Sequence, residues 1–221
     1  MASFFKQNRI FIGVFIIISA SILAIIYSTL NVYKPLPIYQ PAMVNTALVD
    51  STIQHKKKYH IIADFSFINQ NGKTITQETY RNKIYVADFF FTTCQTICPI
   101  MTSHMAQIQN EIIADDDVLL LSHTVMPEID TVEQLKRYAK KKDVIDGKWH
   151  LVTGSKNDIY NMARKSYLVA KENGNSFDMI HTENFVLIDK NRQIRGYYDG
   201  TSLEDINKLL EDIKILKKEY E

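Results

Sequence analysis

Residues 10–33, IFIGVFIIISASILAIIYSTLNVY, run for 24 positions without a charged side chain. As a helix rising 1.5 Å per residue the run spans ~36 Å, against a hydrocarbon core of ~30 Å. Lys6 and Arg9 precede it, and basic residues are retained on the cytoplasmic side. The expectation is a single-pass transmembrane anchor at 10–33, a cytoplasmic N-terminus at 1–9, and export of everything that follows. A cleaved signal peptide is the alternative, with the small residues around Ala20 as its cleavage site. The apolar run continues through ILAIIY, which is long for a signal core. No cysteine lies near the N-terminus to carry a lipid. There is no clear Arg- and Ser-rich transit segment, which favours a bacterial inner membrane with the domain in the periplasm.

Pro35, Pro37 and Pro41 come next and resist helix, so 34–57 reads as an extended linker. The run His55-Lys56-Lys57-Lys58 within and beside it reads as a solvated patch. The remaining residues, 58–221, form the exported domain. Basic and acidic side chains number 26 and 25, a net charge of +1, so nothing favours a nucleic-acid partner. Seven glycines stand singly, with no phosphate-binding loop among them.

Within the domain, YHIIADFSFINQNGKTI alternates and contains Asn71-Gly72, which predicts strand, turn and strand. KIYVADFFFTT is a nearly continuous run of β-formers, as in a strand buried on both faces. After Pro99, Met101, Met105, Ile108 and Ile112 recur at helical spacing. DVLLLSHTV predicts a second buried strand. Asp130-Thr131 opens a further helix, with Gln134 placed to complete a capping box. WHLVTG is a short strand, and Ser155 caps a helix running to about Leu168. NFVLID, KNRQ and IRGYYDG read as a hairpin, and Ser202 caps a last amphipathic helix. Strands separated by helices, closing with a hairpin and a helix, give an α/β class: a thioredoxin-like central mixed sheet flanked by helices.

Cys94 and Cys98 are the only cysteines. They stand where the central strand hands over to a helix, at the carboxyl end of the sheet, where ligands collect in such folds. Four residues apart, they share one face of a helical turn. A helix N-terminus favours thiolate over thiol, so the placement predicts two sulfur anions side by side near solvent. Such a pair can hold a soft metal, exchange electrons as a dithiol, or form a stabilising disulfide. A bridge closing so short a loop constrains the unfolded chain little, so the structural role is the weakest of the three. The spacing is C-x-x-x-C, not the C-x-x-C of thioredoxin-type oxidoreductases. No proline lies near DMIHTENFVLID, the strand that faces the cysteines; His181 stands there instead. Two thiolates and an imidazole suit copper in both oxidation states, Cu(I) and Cu(II), and would also accept zinc.

DFFFTTCQTICPIMTSHM together with IHTENFVLID resembles the Sco/SenC family of copper proteins. SHTVMPEIDTVEQLKRYA is similar to that family's Val-Asp-Pro-Glu-Arg-Asp-Thr-Pro segment, and WHLVTG to its Trp-x-x-Leu-Thr-Gly. The resemblance covers about 160 residues. It implies a membrane-tethered, thioredoxin-like metallochaperone that serves the dinuclear copper A centre of cytochrome c oxidase subunit II. It further implies Cys94, Cys98 and His181 as copper ligands, with Cys94 and Cys98 as a redox-active pair able to reduce the target's disulfide. Subunit II or a similar copper acceptor, other copper chaperones and thiol reductants are the partners it implies, besides the membrane. The chain departs from the family at Gln95-Thr96, where Pro-Asp is common, and at Met126, where Asp is common.

Other residues carry competing readings. His104 lies six positions after Cys98, about 240° round a helix, and points away. His123, at the end of a strand, either orients a ligand or packs in the core. Met126 is an axial thioether candidate or a rim residue. Met101, Met105 and His150 read as structural, and Asp115-Asp116-Asp117 lacks the spacing of a calcium loop. A peroxiredoxin pattern fails, because Phe91 and Gln95 precede Cys98 where Pro and Thr would stand, and Ala87 and Phe91 precede Cys94. The alternative function is a membrane-anchored thiol–disulfide oxidoreductase or redox sensor, which needs the dithiol but not His181.

Overall fold

The computed structural model describes residues 8–30, 35–170 and 182–221. The chain divides after Pro35 into two compact units. The first contains helix α1 (Arg9–Leu30), which carries no acidic residue in its first turn and no basic one in its last. By length and composition it can cross a membrane.

The second unit is built on one seven-stranded sheet with the order β2-β1-β5-β4-β3-β6-β7. In chain order its elements are β1 (Ser66–Asn69), β2 (Thr74–Thr76), β3 (Ile84–Phe90), α2 (Cys98–Glu111) and β4 (Val118–Thr124). Then follow α3 (Val132–Lys141), β5 (Trp149–Thr153), α4 (Lys156–Asn161), β6 (Asn184–Ile188), β7 (Ile194–Asp199) and α5 (Leu203–Lys218). Strands β3, β4 and β5 run parallel, with Asp88 opposite Ser122 and Phe90 opposite Thr124. The β1–β2 and β6–β7 hairpins flank them in antiparallel pairing. This is the expected mixed sheet of a thioredoxin-like fold.

Every residue of β3 and β4 is buried, as their unbroken apolar character requires. Side chains alternate between two cores. Tyr85, Ala87 and Phe89 pack with Leu121, Ile159 and Tyr167 on one face. Ile84, Val86 and Phe90 pack with Met101, Met105 and Ile108 of α2, Leu135 of α3 and Leu209 of α5 on the other. Met101 and Met105 are therefore core, as expected. Local signals also hold. Gly72 takes a φ of +72°, which the β1–β2 turn needs and a side chain would resist. Thr131, Ser155 and Ser202 each accept a backbone N–H as N-caps.

The structure departs from the sequence expectations in three places. Residues 59–65 do not join the sheet, because Ile62 exchanges hydrogen bonds with Arg192 at the β6–β7 turn. The helix capped by Ser155 widens into a π-turn over Met162–Ser166. Its freed carbonyls are taken up from outside the helix, Ser166 O by His60 Nε2 (2.7 Å) and Tyr167 O by the Tyr197 hydroxyl (3.0 Å). The stretch 34–57, expected as a linker, is fastened to the domain from Leu36 onward. Arg195, only 4% exposed, pairs with Asp189 and Glu219 (3.0 and 2.6 Å) and donates to the carbonyls of Leu36 and Pro37. The amide of Tyr39 bonds Ile194 O at 2.8 Å.

Candidate metal and thiol centre

Strand β3 ends at Phe90, and the chain crosses a loop of seven residues to the first residue of α2, Cys98. Pro99 occupies the first turn of α2, where a missing N–H costs little. Both thiols are free; Cys98 is buried and Cys94 half-buried at the mouth. The Cys98 amide donates to the Cys94 sulfur at 3.5 Å, and the Thr96 hydroxyl lies 3.6 Å from it.

The two sulfurs are not equivalent. Burial pushes the Cys94 thiol up, but the Cys98 amide, the Cys98 thiol and the amide and hydroxyl of Thr96 outweigh it. Together they hold Cys94 at about 7, below the ordinary 9.0. Burial pushes Cys98 up to about 12; the Phe91 backbone N–H opposes it, while Cys94 and Asp88 add to it. The expectation of two anions near solvent is thus replaced by one poised sulfur outside and one protonated sulfur beneath it. The reason is burial: Cys98 sits in the core under α2, and desolvation there outweighs the helix N-terminus.

Under the pair lies a polar group that the sequence expectations passed over. Asp88, in mid-β3, is 2% exposed and its Oδ1 has no partner. The Ser122 hydroxyl, which accepts Trp149 Nε1–H at 2.8 Å, donates to the carboxyl. Burial raises Asp88 to about 7 against that bond. Beside it, the Thr102 hydroxyl bonds Cys98 O at 2.7 Å and the Tyr138 hydroxyl at 2.8 Å. The signal for Asp88 was a lone acid inside KIYVADFFF, a strand otherwise free of charge after its first residue.

The remaining candidates separate cleanly. His104 turns its Nδ1 to Gly200 O at 2.8 Å, away from the sulfurs as expected. His123 faces the opposite core, among Phe65, Phe67, Phe89 and Tyr167, and stacks on Phe89 with ring centres 5.0 Å apart. It is a packing histidine. Met126 packs against that same core. His150 meets Asn69 Nδ2 at 3.3 Å and the Tyr80 ring, a structural role. His181 lies outside the described residues. Among the described residues no three His, Cys, Asp or Glu side chains gather as a metal site. Cys94 and Cys98 therefore supply two soft donors, one ready to ionise at neutral pH and one that must release its proton on binding.

The family model described as SCO1/SenC matches residues 53–218. The chain belongs to the SCO1/SenC family. It is 34% identical over 157 residues to the "SCO1 protein homolog" of Bacillus subtilis (strain 168), covering 69% of this chain and 81% of the relative. It is also similar to the solved structure of BsSco, titled "a member of the Sco family of cytochrome c oxidase assembly proteins" and reported with a disulfide switch. That likeness has 32% identity and a TM-score of 0.62, over 70% of this chain and 92% of the other. Arabidopsis thaliana ScoI, solved with copper bound, matches at 26% identity and a TM-score of 0.56, over 72% and 99% of the two chains.

Proposed function

We propose that this protein is a membrane-anchored copper-binding assembly factor for cytochrome c oxidase. Cys94, Cys98 and His181 hold one copper ion as cargo, and its acceptor is the copper A site of subunit II. The observation that carries the reading is the thiol pair itself. Two free soft donors stand at the strand-to-helix handover, with Cys94 near neutrality. The family membership and a copper-bound relative support it. The helix Arg9–Leu30 serves as the anchor, with the domain in the periplasm of a bacterial inner membrane, in keeping with Lys6 and Arg9 before the span. Copper chaperones and thiol reductants are the further partners.

A second reading rests on the asymmetry of the sulfurs. A sulfur held at about 7 and another at about 12 are suited to attack and resolution in disulfide exchange. The same pair can reduce the acceptor's cysteines before metal enters. In that reaction the Cys94 thiolate attacks the target disulfide. Cys98 then displaces the target thiol, and Cys94–Cys98 becomes the disulfide.

A Cu(I) titration of the reduced protein against a competing chelator tests the first reading, with His181→Ala and Cys98→Ser alongside. One tightly held copper per chain, lost in both variants, is the expected result. Binding indifferent to His181, or no tight binding, overturns copper delivery and leaves the disulfide reading. That reading predicts exchange activity unaffected by His181→Ala.

A further inference from the structure

The loop that carries Cys94 is tied to the rest of the molecule by one carboxyl group. Asp130 lies just before α3 and is 0% exposed. Its two oxygens accept the Thr92 amide (3.2 Å to Oδ2), the Thr92 hydroxyl and the Thr124 hydroxyl. Gln134, in the first turn of α3, donates from Nε2 to the same Thr92 hydroxyl at 2.9 Å. That hydroxyl therefore gives its proton to Asp130 and accepts one from Gln134, so its rotation is fixed from both sides. Gln134 was expected to close a capping box; its amide reaches across to the cysteine loop instead.

Thr92 is the neighbour of Phe91, and Phe91 holds both cysteines. Its carbonyl accepts the Cys94 amide at 3.3 Å, and its N–H bonds the Cys98 sulfur. A continuous set of bonds thus runs from Asp130 through Thr92 and Phe91 to the backbone of Cys94 and the sulfur of Cys98. Buried hydrogen bonds with every partner in place hold one geometry, and removing the shared acceptor releases several donors together.

We infer that Asp130 is the positioning residue of the thiol centre: acting through Thr92, it holds Cys94 and Cys98 at the separation their joint chemistry needs. Asp130 touches neither sulfur. It deepens the reading above, since both copper binding and disulfide exchange require the two sulfurs together. Its effect is on the pair's effective concentration, which sets how readily the disulfide closes.

The test is the equilibrium of the full-length protein in detergent with glutathione. There the dithiol and oxidised glutathione give the Cys94–Cys98 disulfide and two reduced glutathiones. Asp130→Asn and Thr92→Val should each lower that constant by about threefold or more, because a looser loop closes less often. Thr92→Ser keeps the hydroxyl and should stay within about twofold of the parent. The double variant should be no worse than the worse single one, since both break the same link. Ile159→Val loosens the opposite core and should leave the constant unchanged. The inference is overturned if Thr92→Val folds and matches the parent, if the two effects multiply, or if Ile159→Val lowers the constant equally. Copper plays no part in this readout, so failure of the copper reading would leave the result intact, and the reverse holds too.

Discussion

Asp88→Asn should stabilise the protein at neutral pH, and the gain should itself depend on pH. Asp88 is 2% exposed, and no cation is among the groups that act on it. Burial raises its carboxyl from the ordinary 3.8 to about 7, against the Ser122 hydrogen bond. Below pH 3.8 the group is protonated whether the chain is folded or not. Between 3.8 and about 7 the unfolded chain releases the proton and the folded one keeps it, so rising pH favours unfolding. Above about 7 the loss is complete. At ~1.4 kcal/mol per pH unit the wild type forfeits about 4 kcal/mol across this window. Asparagine does not ionise, so the stability of Asp88→Asn minus that of the wild type should climb by about 4 kcal/mol between pH 4 and 7. The comparison must be a difference, because other buried groups titrate in the same range. Urea denaturation of the reduced, copper-free chain from Leu36 onward measures it, since those residues form their own compact unit. A difference flat to within ~1 kcal/mol from pH 4 to 8 would refute the claim that Asp88 ionises against desolvation.

Three further outcomes follow from the same geometry. Cys94 should react with iodoacetamide at a rate rising through a midpoint near pH 7, while Cys98 stays protected until denaturant is added; equal labelling of both in the native state contradicts the asymmetry. Burial holds His123 down at about 3 from the ordinary 6.5, so stability should fall as pH drops from 6.5 towards 3. His123→Phe should remove about 3 kcal/mol of that acid loss, read as urea midpoints at pH 4 and pH 7. Arg195→Ala leaves Asp189 and Glu219 without their shared cation and frees the carbonyls of Leu36 and Pro37. A loss of about 3–5 kcal/mol is expected, together with faster proteolysis within residues 36–57; unchanged protease resistance there would contradict the fastening.

The fold was legible where local chemistry and burial agree. The strands IYVADFF and VLLLSHT are buried along their whole length, and a run of that composition has no solvent face to show. Thr131, Ser155 and Ser202 cap helices because a short polar side chain before an apolar repeat satisfies a free N–H in any fold. Residues 59–65 were misread because the alternation at the start of the segment is genuine. His60 and Ile62 are buried while Tyr59, Ile61 and Ala63 are exposed, yet the partner that takes the Ile62 amide is the distant Arg192 carbonyl. Alternation reports one buried face and says nothing of which backbone lies alongside. The proline-rich start of the domain failed for a similar reason: an extended segment and a free one share a composition, and distant partners such as Arg195 and the Ile194 carbonyl distinguish them.

At the site, spacing located the two cysteines but could not rank them, because their difference comes from depth. Four residues along a turn carry Cys94 at the mouth to Cys98 in the core, and the acid–base character of the pair follows from that step. The groups that govern the pair come from elsewhere in the chain. Asp130 reaches Thr92 across 38 positions and Gln134 reaches it across 42. Asp88 is opposite Ser122 because β3 and β4 pair in parallel. A buried acid without a cation is costly in a strand that packs on both faces, and a purely structural strand would carry Val or Ile at that position. Its place beneath two thiols ties that cost to the site: the Asp88 carboxylate is among the groups that raise the Cys98 thiol to about 12. Taking the carboxylate away, as Asp88→Asn does, should therefore lower the Cys98 thiol.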